Sequence, residues 1–487
     1  MDFTGPVFLF LFLPALLCVY WMCHPAVRTT VLLGASLFFY AWNEGRYVLL
    51  LCLAIALNYL LILSMDRCQM ASRRLAALFA TITANLLFLF SFKYPVLLQW
   101  FTSNLGINPS VLAPVHLPLG ISFFIFQAIA YAVDVYRRKH AALANPLKFS
   151  LFLSLFPKIS AGPIIRYEEV ESSLACPKID MDECAYGAKR FIIGMGKKLL
   201  IADTLAKTSD QIFAINAGEL TAPLAWLGII CYTLQLYFDF AGYSDMAIGL
   251  GRMLGFSFRE NFDYPYTAKS ITEFWRRWHL SLSTWFRDYL YTPLLYSLMT
   301  EKVRQKIALG RYRTNYRSMF CIIVVFTLCG WWHGATWNYV VWGLLHGIIL
   351  ALESWKLNKV LKKAPFFLSH AYALCLIMFC WVFFRCQSLS DALSFIKAMS
   401  GFASGHGQVY SVPLYLNSEL LLVLGIAILS AVPSTRLLRE RFLRLLPALS
   451  RGWSVAAFEA GALTVVFLLC LLSVASSTYK PFIYFRF

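Results

Sequence analysis

Charge is scarce in this sequence, and acidic charge scarcer still. Only 14% of its 487 residues are charged, with 25 acidic side chains against 43 basic ones. A soluble domain carries about 25% charged residues. A water-soluble fold of this make-up would expose far more apolar surface than water tolerates. No Lys or Arg precedes the first apolar run, 7–22; the first basic residue is Arg28. A cleaved signal peptide wants positive charge in front, so this run is expected to remain as a first span. The 13 cysteines form no C-x-x-C pair and show no metal-ligand spacing. They are expected to be small buried hydrophobes, and no metal site is predicted. The G-x-S-x-G elbow, the Walker A loop and the H-E-x-x-H metal motif are missing as well.

What is present is apolar and aromatic. Hydrophobic residues make up 59% of the chain, and the 41 Phe and 14 Trp exclude disorder. The class is an all-α polytopic membrane protein. Apolar runs fall at about 7–22, 30–43, 47–65, 75–92, 117–136, 147–164, 191–206, 222–250, 281–299, 318–332, 338–352, 366–385, 417–433 and 453–475. Several are shorter than a full crossing, so roughly 10–13 transmembrane or re-entrant segments are expected. The formal charge of +18 is the positive-inside bias of cytoplasmic loops and not a nucleic-acid site, since there is no soluble basic domain to carry one.

Basic clusters set the orientation. They follow the third and fifth runs (Arg67, Arg73, Arg74; Arg137, Arg138, Lys139) and fill the stretches 302–317, 356–363 and 436–451. With all of these in the cytoplasm, both termini lie outside. The two runs between 317 and 356 are then too short to cross and return comfortably. Their turn, GWWHGATW (330–337), is expected at membrane depth, inside protein or beside a water-filled funnel.

Polar residues at that depth are informative. His333 sits in this turn region, where an ionisable group is costly and imidazole is the usual base near neutral pH; a ring bonded to a backbone carbonyl fits equally well. A second island, 267–290, mixes Lys269, Glu273, Arg276, Arg277, Arg287 and Asp288 with Trp275, Trp278 and Trp285. It reads first as an interfacial amphipathic helix. It reads alternatively as an anion-binding face with His279 turned to the funnel. Asp239 and Asp245 are expected to cap helices or pair with arginines, with Gln127 and Asp134 weaker cases of the same kind. His346 is expected to be a satisfied core histidine.

Four stretches together are distinctive: LPLGISFFIFQAIAYAVDVYRR (117–138), FDFAGYSDMAIGLGRMLGF (238–256), NFDYPYTAKSITEFWRRWHLSLSTWFRDYLY (261–291) and GWWHGATWNYVVWGLLHG (330–347). They resemble the membrane-bound O-acyltransferase family, and more closely its bacterial branch containing the alginate O-acetylation membrane protein. The resemblance implies a ring of helices around a thin central region, with a funnel on each side. It implies one membrane domain over 1–487, with N-terminal helices in 1–145, a catalytic core in about 146–355, C-terminal helices in 356–475 and an extracytoplasmic tail at 476–487.

The same resemblance makes His333 the general base and His279 a donor to the oxyanion or a positioner of the acyl donor. That donor is expected to be acetyl-CoA, used as substrate, with no permanently bound cofactor. Trp275, Arg276 and Arg277 are the candidates for holding it. An extracytoplasmic partner of the SGNH-hydrolase type is implied, with a polysaccharide acceptor reached through it. Tyr484, in the terminal PFIYFRF, resembles a motif proposed to carry the acyl group as a Tyr ester; an aromatic interface anchor is the plainer reading. The implied setting is a bacterial inner membrane. A carrier-protein-dependent acyltransferase of the teichoic-acid type and a transporter are the rival readings.

Overall fold

The computed structural model describes residues 1–94, 117–175, 177–216, 218–299, 316–402, 410–433 and 452–476. Among them every regular element is a helix. Six helical stretches are long and apolar enough to cross a bilayer: Pro25–Arg67, Ala71–Lys93, Ala222–Met253, Trp337–Leu361, Phe366–Arg385 and Ala456–Ser476. Three shorter apolar helices, Phe8–Met22, Ile121–Tyr136 and Ser418–Ser430, accompany them. This is an all-α, multi-pass membrane protein.

One expected span is interrupted and another is widened by a π-helical turn. The run 147–164 stops at Ser154 and restarts as Phe156–Ile159, because Pro157 suits a first helical turn but cannot continue one. The run 281–299 is one continuous helical stretch, Leu280–Phe286 passing through a π-helical turn, Arg287–Tyr291, into Thr292–Ser297. The expected short run at 338–352 is instead the start of a longer helix. It continues through a π-helical turn, Glu353–Leu357, to Leu361.

The chain forms two compact units, one of Met1–Phe191 with Tyr243–Glu260, the other of Ile192–Gly242 with Asn261–Phe487. In the first unit, apolar side chains such as Leu49, Leu53 and Leu60 point outward, as lipid contact requires. Polar groups hold the inside. Asn58 and Asn85 exchange amide hydrogen bonds of 3.1 and 2.7 Å between neighbouring helices. The Lys158 amine is buried and donates to Gln127 Oε1. Gln127 in turn donates to the Phe152 carbonyl at 3.0 Å. Gly120 must lack a side chain, since a Cβ there would lie 1.7 Å from the Ile159 carbonyl oxygen. Asp245 pairs with Arg190 at 2.7 Å, the pairing expected for it, whereas Asp134 pairs with a lysine, Lys139, at 2.9 Å.

The second unit contains a tight hairpin of Tyr316–His333 and Trp337–Leu352. Glycine sets its closeness. A Cβ on Gly330 would stand 2.1 Å from the Tyr339 carbonyl oxygen, and one on Gly343 2.2 Å from that of Phe326. The backbones therefore touch directly, as small residues permit in membrane helices. Elsewhere in this unit Lys198 is buried between Asp239 (2.9 Å) and Asp203 (2.5 Å), so Asp239 pairs with a lysine where an arginine is expected.

Candidate active site

His333 is the last residue of its helix, one position before the turn, and only 4% of its surface is exposed. Aromatic rings surround it. Trp332 lies 4.5 Å away by ring centroid, Phe384 5.0 Å at 78°, and Trp342 5.2 Å at 90°. Edge-to-face contacts of this kind fix a ring's plane without using its nitrogens. The helix end is therefore placed by glycine contact and the imidazole by its neighbours.

His279 is built differently. The expected amphipathic helix over 267–290 does not form as one piece. Ile271–Trp275 ends, and Leu280–Phe286 begins after a reversal at His279, whose φ is +44° and ψ +56°. A left-handed non-glycine residue costs about 1–3 kcal/mol and persists only where the surroundings enforce it. Here Asn261 enforces it. Its side-chain oxygen faces His279 Nδ1 at 3.1 Å and accepts from the Ser281 amide at 3.2 Å and the Ser281 hydroxyl at 2.9 Å. Its carbonyl accepts from the Leu280 amide at 3.0 Å. Because that amide oxygen only accepts, Nδ1 carries the proton. The lone pair of the neutral ring is then on Nε2. Phe240 packs edge-on against the ring at 4.6 Å, and His279 is 1% exposed.

An aromatic chain joins the surroundings of the two histidines. Trp278 lies 5.3 Å from Trp381. Trp381 stacks on Trp342 at 6.0 Å and meets Phe384 at 5.5 Å. Trp342 and Phe384 are the rings that hold His333. Two buried imidazoles, one with an accepting Nε2 lone pair assigned by its hydrogen bonding, suit proton transfer and the positioning of a hydroxyl or amide donor.

Residues 39–396 match the membrane-bound O-acyltransferase family. The chain belongs to that family. As a membrane-bound O-acyltransferase it is an acyltransferase enzyme. It is 40% identical over 411 residues to the probable alginate O-acetylase AlgI of Azotobacter vinelandii, a match covering 82% of this chain and 78% of that protein. The probable alginate O-acetylase AlgI of Pseudomonas putida is 36% identical over an alignment of 513 positions covering 100% of each chain. The peptidoglycan O-acetyltransferase of Helicobacter pylori is 35% identical over 437 residues, with 82% of this chain and 80% of that one covered.

The other site candidates of this acyltransferase are more scattered. Arg277 is tied to Glu273 at 2.9 Å and to Asp263 at 3.2 Å. Burial raises the Glu273 carboxyl, but the Lys269 amide and the Arg277 guanidinium outweigh it and hold the group below its usual range. Arg276 is exposed. Trp275 lies away from a charged face, against Phe326 (5.1 Å), His346 (5.4 Å) and Trp342 (5.9 Å). His346 is a core histidine but only half satisfied: Nδ1 donates to the Trp342 carbonyl at 3.1 Å, while the buried Nε2 meets no hydrogen-bond partner among the described residues. Tyr484 and most of the basic clusters at 302–317 and 436–451 lie outside the described residues. Among those described, no group of three His, Cys, Asp or Glu is arranged to hold a metal ion.

Sequence reasoning missed Asn261, Trp381, Phe384 and Glu353. Only Glu353 left a signal, as a carboxylate at the end of the apolar run WNYVVWGLLHGIILALESW.

Proposed function

We propose that this enzyme moves acetyl groups from a cytoplasmic thioester, acetyl-CoA, to a hydroxyl on the other side of the membrane, for O-acetylation of an exported or cell-surface polysaccharide. The observation that carries the reading is the buried imidazole of His333, held in an aromatic collar at the end of a glycine-packed helix. The similarity to alginate and peptidoglycan O-acetylating proteins supports the choice of acetyl and of polysaccharide.

In this reading His333 takes the proton of the attacking hydroxyl as its oxygen bonds to the thioester carbonyl carbon. His279, whose Nδ1–H is committed to Asn261, would act through its accepting Nε2, by positioning the acyl donor or the N–H or O–H group that meets the oxyanion. Collapse breaks the carbon–sulfur bond, and the imidazolium returns its proton to the leaving thiolate. Arg276 and Arg277 would meet the donor's phosphates, with Trp275 beside them in sequence. Tyr484 would accept acetyl as a phenyl ester and pass it to an extracytoplasmic SGNH-type partner, in an inner membrane with both termini outside.

Replacing His333 by alanine is expected to lower acetyl transfer by about 10²–10⁴-fold while acetyl-CoA binding persists. Full activity in that variant would exclude the base. Tyr484→Phe should abolish polysaccharide acetylation while leaving folding intact; unchanged acetylation would remove the relay.

A further inference from the structure

The short helix Ile271–Trp275 leads directly into the His279 reversal, yet five residues cannot hold a helix by their own hydrogen bonds. Its first N–H groups are satisfied from elsewhere. Ser270 Oγ accepts from the Glu273 amide at 3.0 Å. The other two amides reach across to the far end of the hairpin's second helix. Glu353 accepts from the Ile271 amide at 2.8 Å and the Thr272 amide at 2.7 Å. The same carboxylate accepts from the Thr272 hydroxyl at 2.6 Å and from the Tyr372 hydroxyl at 3.1 Å.

Glu353 has no exposed surface. A buried carboxylate with four donors is a strong and directional fastener, because charge-assisted hydrogen bonds are roughly twice as strong as neutral ones. A packed apolar side chain in its place would leave two buried amides unmet. The adjacent hairpin carries His333, so one rigid element presents one imidazole and fastens the segment that presents the other.

We propose that Glu353 is a positioning residue of the acyl-transfer site, which sets the place of His279 by clamping the start of helix Ile271–Trp275. It touches no substrate; it acts through the segment it holds. The proposal rests on the acyl-transfer reading above, and its test separates the two.

The test uses the purified full chain in detergent, with acetyl-CoA as the donor and a soluble phenol or alcohol in excess as the acetyl acceptor, so that turnover is continuous. CoA release is followed against acetyl-CoA concentration, and backbone amide exchange is followed by mass spectrometry. In Glu353→Gln the amide NH₂ faces N–H donors. Exchange over 270–282 should then rise about tenfold while 337–350 is unchanged, and kcat should fall about 10–100-fold with KM within about threefold. Thr272→Val removes one of the four bonds and should give about a threefold fall in kcat, whereas Thr272→Ser should restore the wild-type rate.

Exchange that rises equally across the hairpin would reduce Glu353 to general stability and overturn the proposal. So would a loosened segment with kcat preserved. If Glu353→Gln does not fold, Thr272→Val decides, and a variant with unchanged exchange and rate overturns the clamp. A wild-type chain that releases no CoA sinks the acetyl-CoA reading instead, while the exchange comparison still reports on the clamp.

Discussion

His333 ends a regular helix, and its ring is placed by what it leans on: Trp332, Trp342 and Phe384 on three sides, and glycines that bring two backbones into contact. His279 sits on a backbone reversal at positive φ, between the five-residue helix Ile271–Trp275 and the helix that starts at Leu280, and is placed by hydrogen bonds to Asn261 and, one step removed, to Glu353. The first arrangement resists change by shape. The second resists it through a few polar contacts, each of which can be removed singly. Substitutions around His333 should therefore act through volume, and those around His279 through donors and acceptors.

The largest effect should come from closing the glycine contact. In an isolated helix Gly→Ala at position 343 would gain about 1 kcal/mol from propensity. Here the new methyl meets the Phe326 carbonyl at 2.2 Å and the Gly330 backbone at 3.0 Å, and backbone cannot step aside as a side chain does. Gly343→Ala is expected to lose about 3 kcal/mol or more, with a lowered Tm and no acetyl transfer; a raised Tm would break the comparison.

Next is His279→Asn, which keeps a residue tolerant of positive φ. Stability should stay within about 1 kcal/mol of wild type, while transfer falls about 10²-fold. Unchanged turnover would remove His279 from the chemistry.

Asn261→Ala should follow. It strips the acceptor from His279 and Ser281 and should cost about 2–3 kcal/mol with a smaller loss of turnover than His279→Asn, because a supporting group cannot matter more than the group it supports. Were the loss larger, Asn261 would have a role of its own.

The smallest effect belongs to Arg277→Gln. Its partly exposed pairs with Glu273 and Asp263 should contribute no more than about 1 kcal/mol. A rise in KM for acetyl-CoA without loss of Tm would sharpen its assignment to the donor.

Much of the fold was legible in the sequence because lipid imposes simple rules. Long apolar runs such as 366–385 became helices with almost the same bounds. The family and both histidine blocks were legible too. The interior of the second block was not. Trp275, Trp278 and Leu282 recur at helical spacing, which is the signal of one amphipathic helix. The chain spends that periodicity on two helices, because a distant amide at Asn261 and a distant carboxylate at Glu353 satisfy the backbone groups exposed by the break. Periodicity reports on neighbours three and four residues away and carries nothing about partners 18 or 82 residues away. Likewise, the 330–347 block reads as two short apolar runs, but nothing local signals that Gly330 and Gly343 face each other's helix.

The clamp from Glu353 to Thr272 joins residues 81 apart in the chain. During synthesis, the stretch bearing His279 leaves the ribosome long before the carboxylate that orders it, and so does His333. A truncated product ending between residues 334 and 352 would thus own both imidazoles without their relative registration. Competence would then arrive late in translation, as a property of the nearly finished polypeptide and not of any fragment that precedes it.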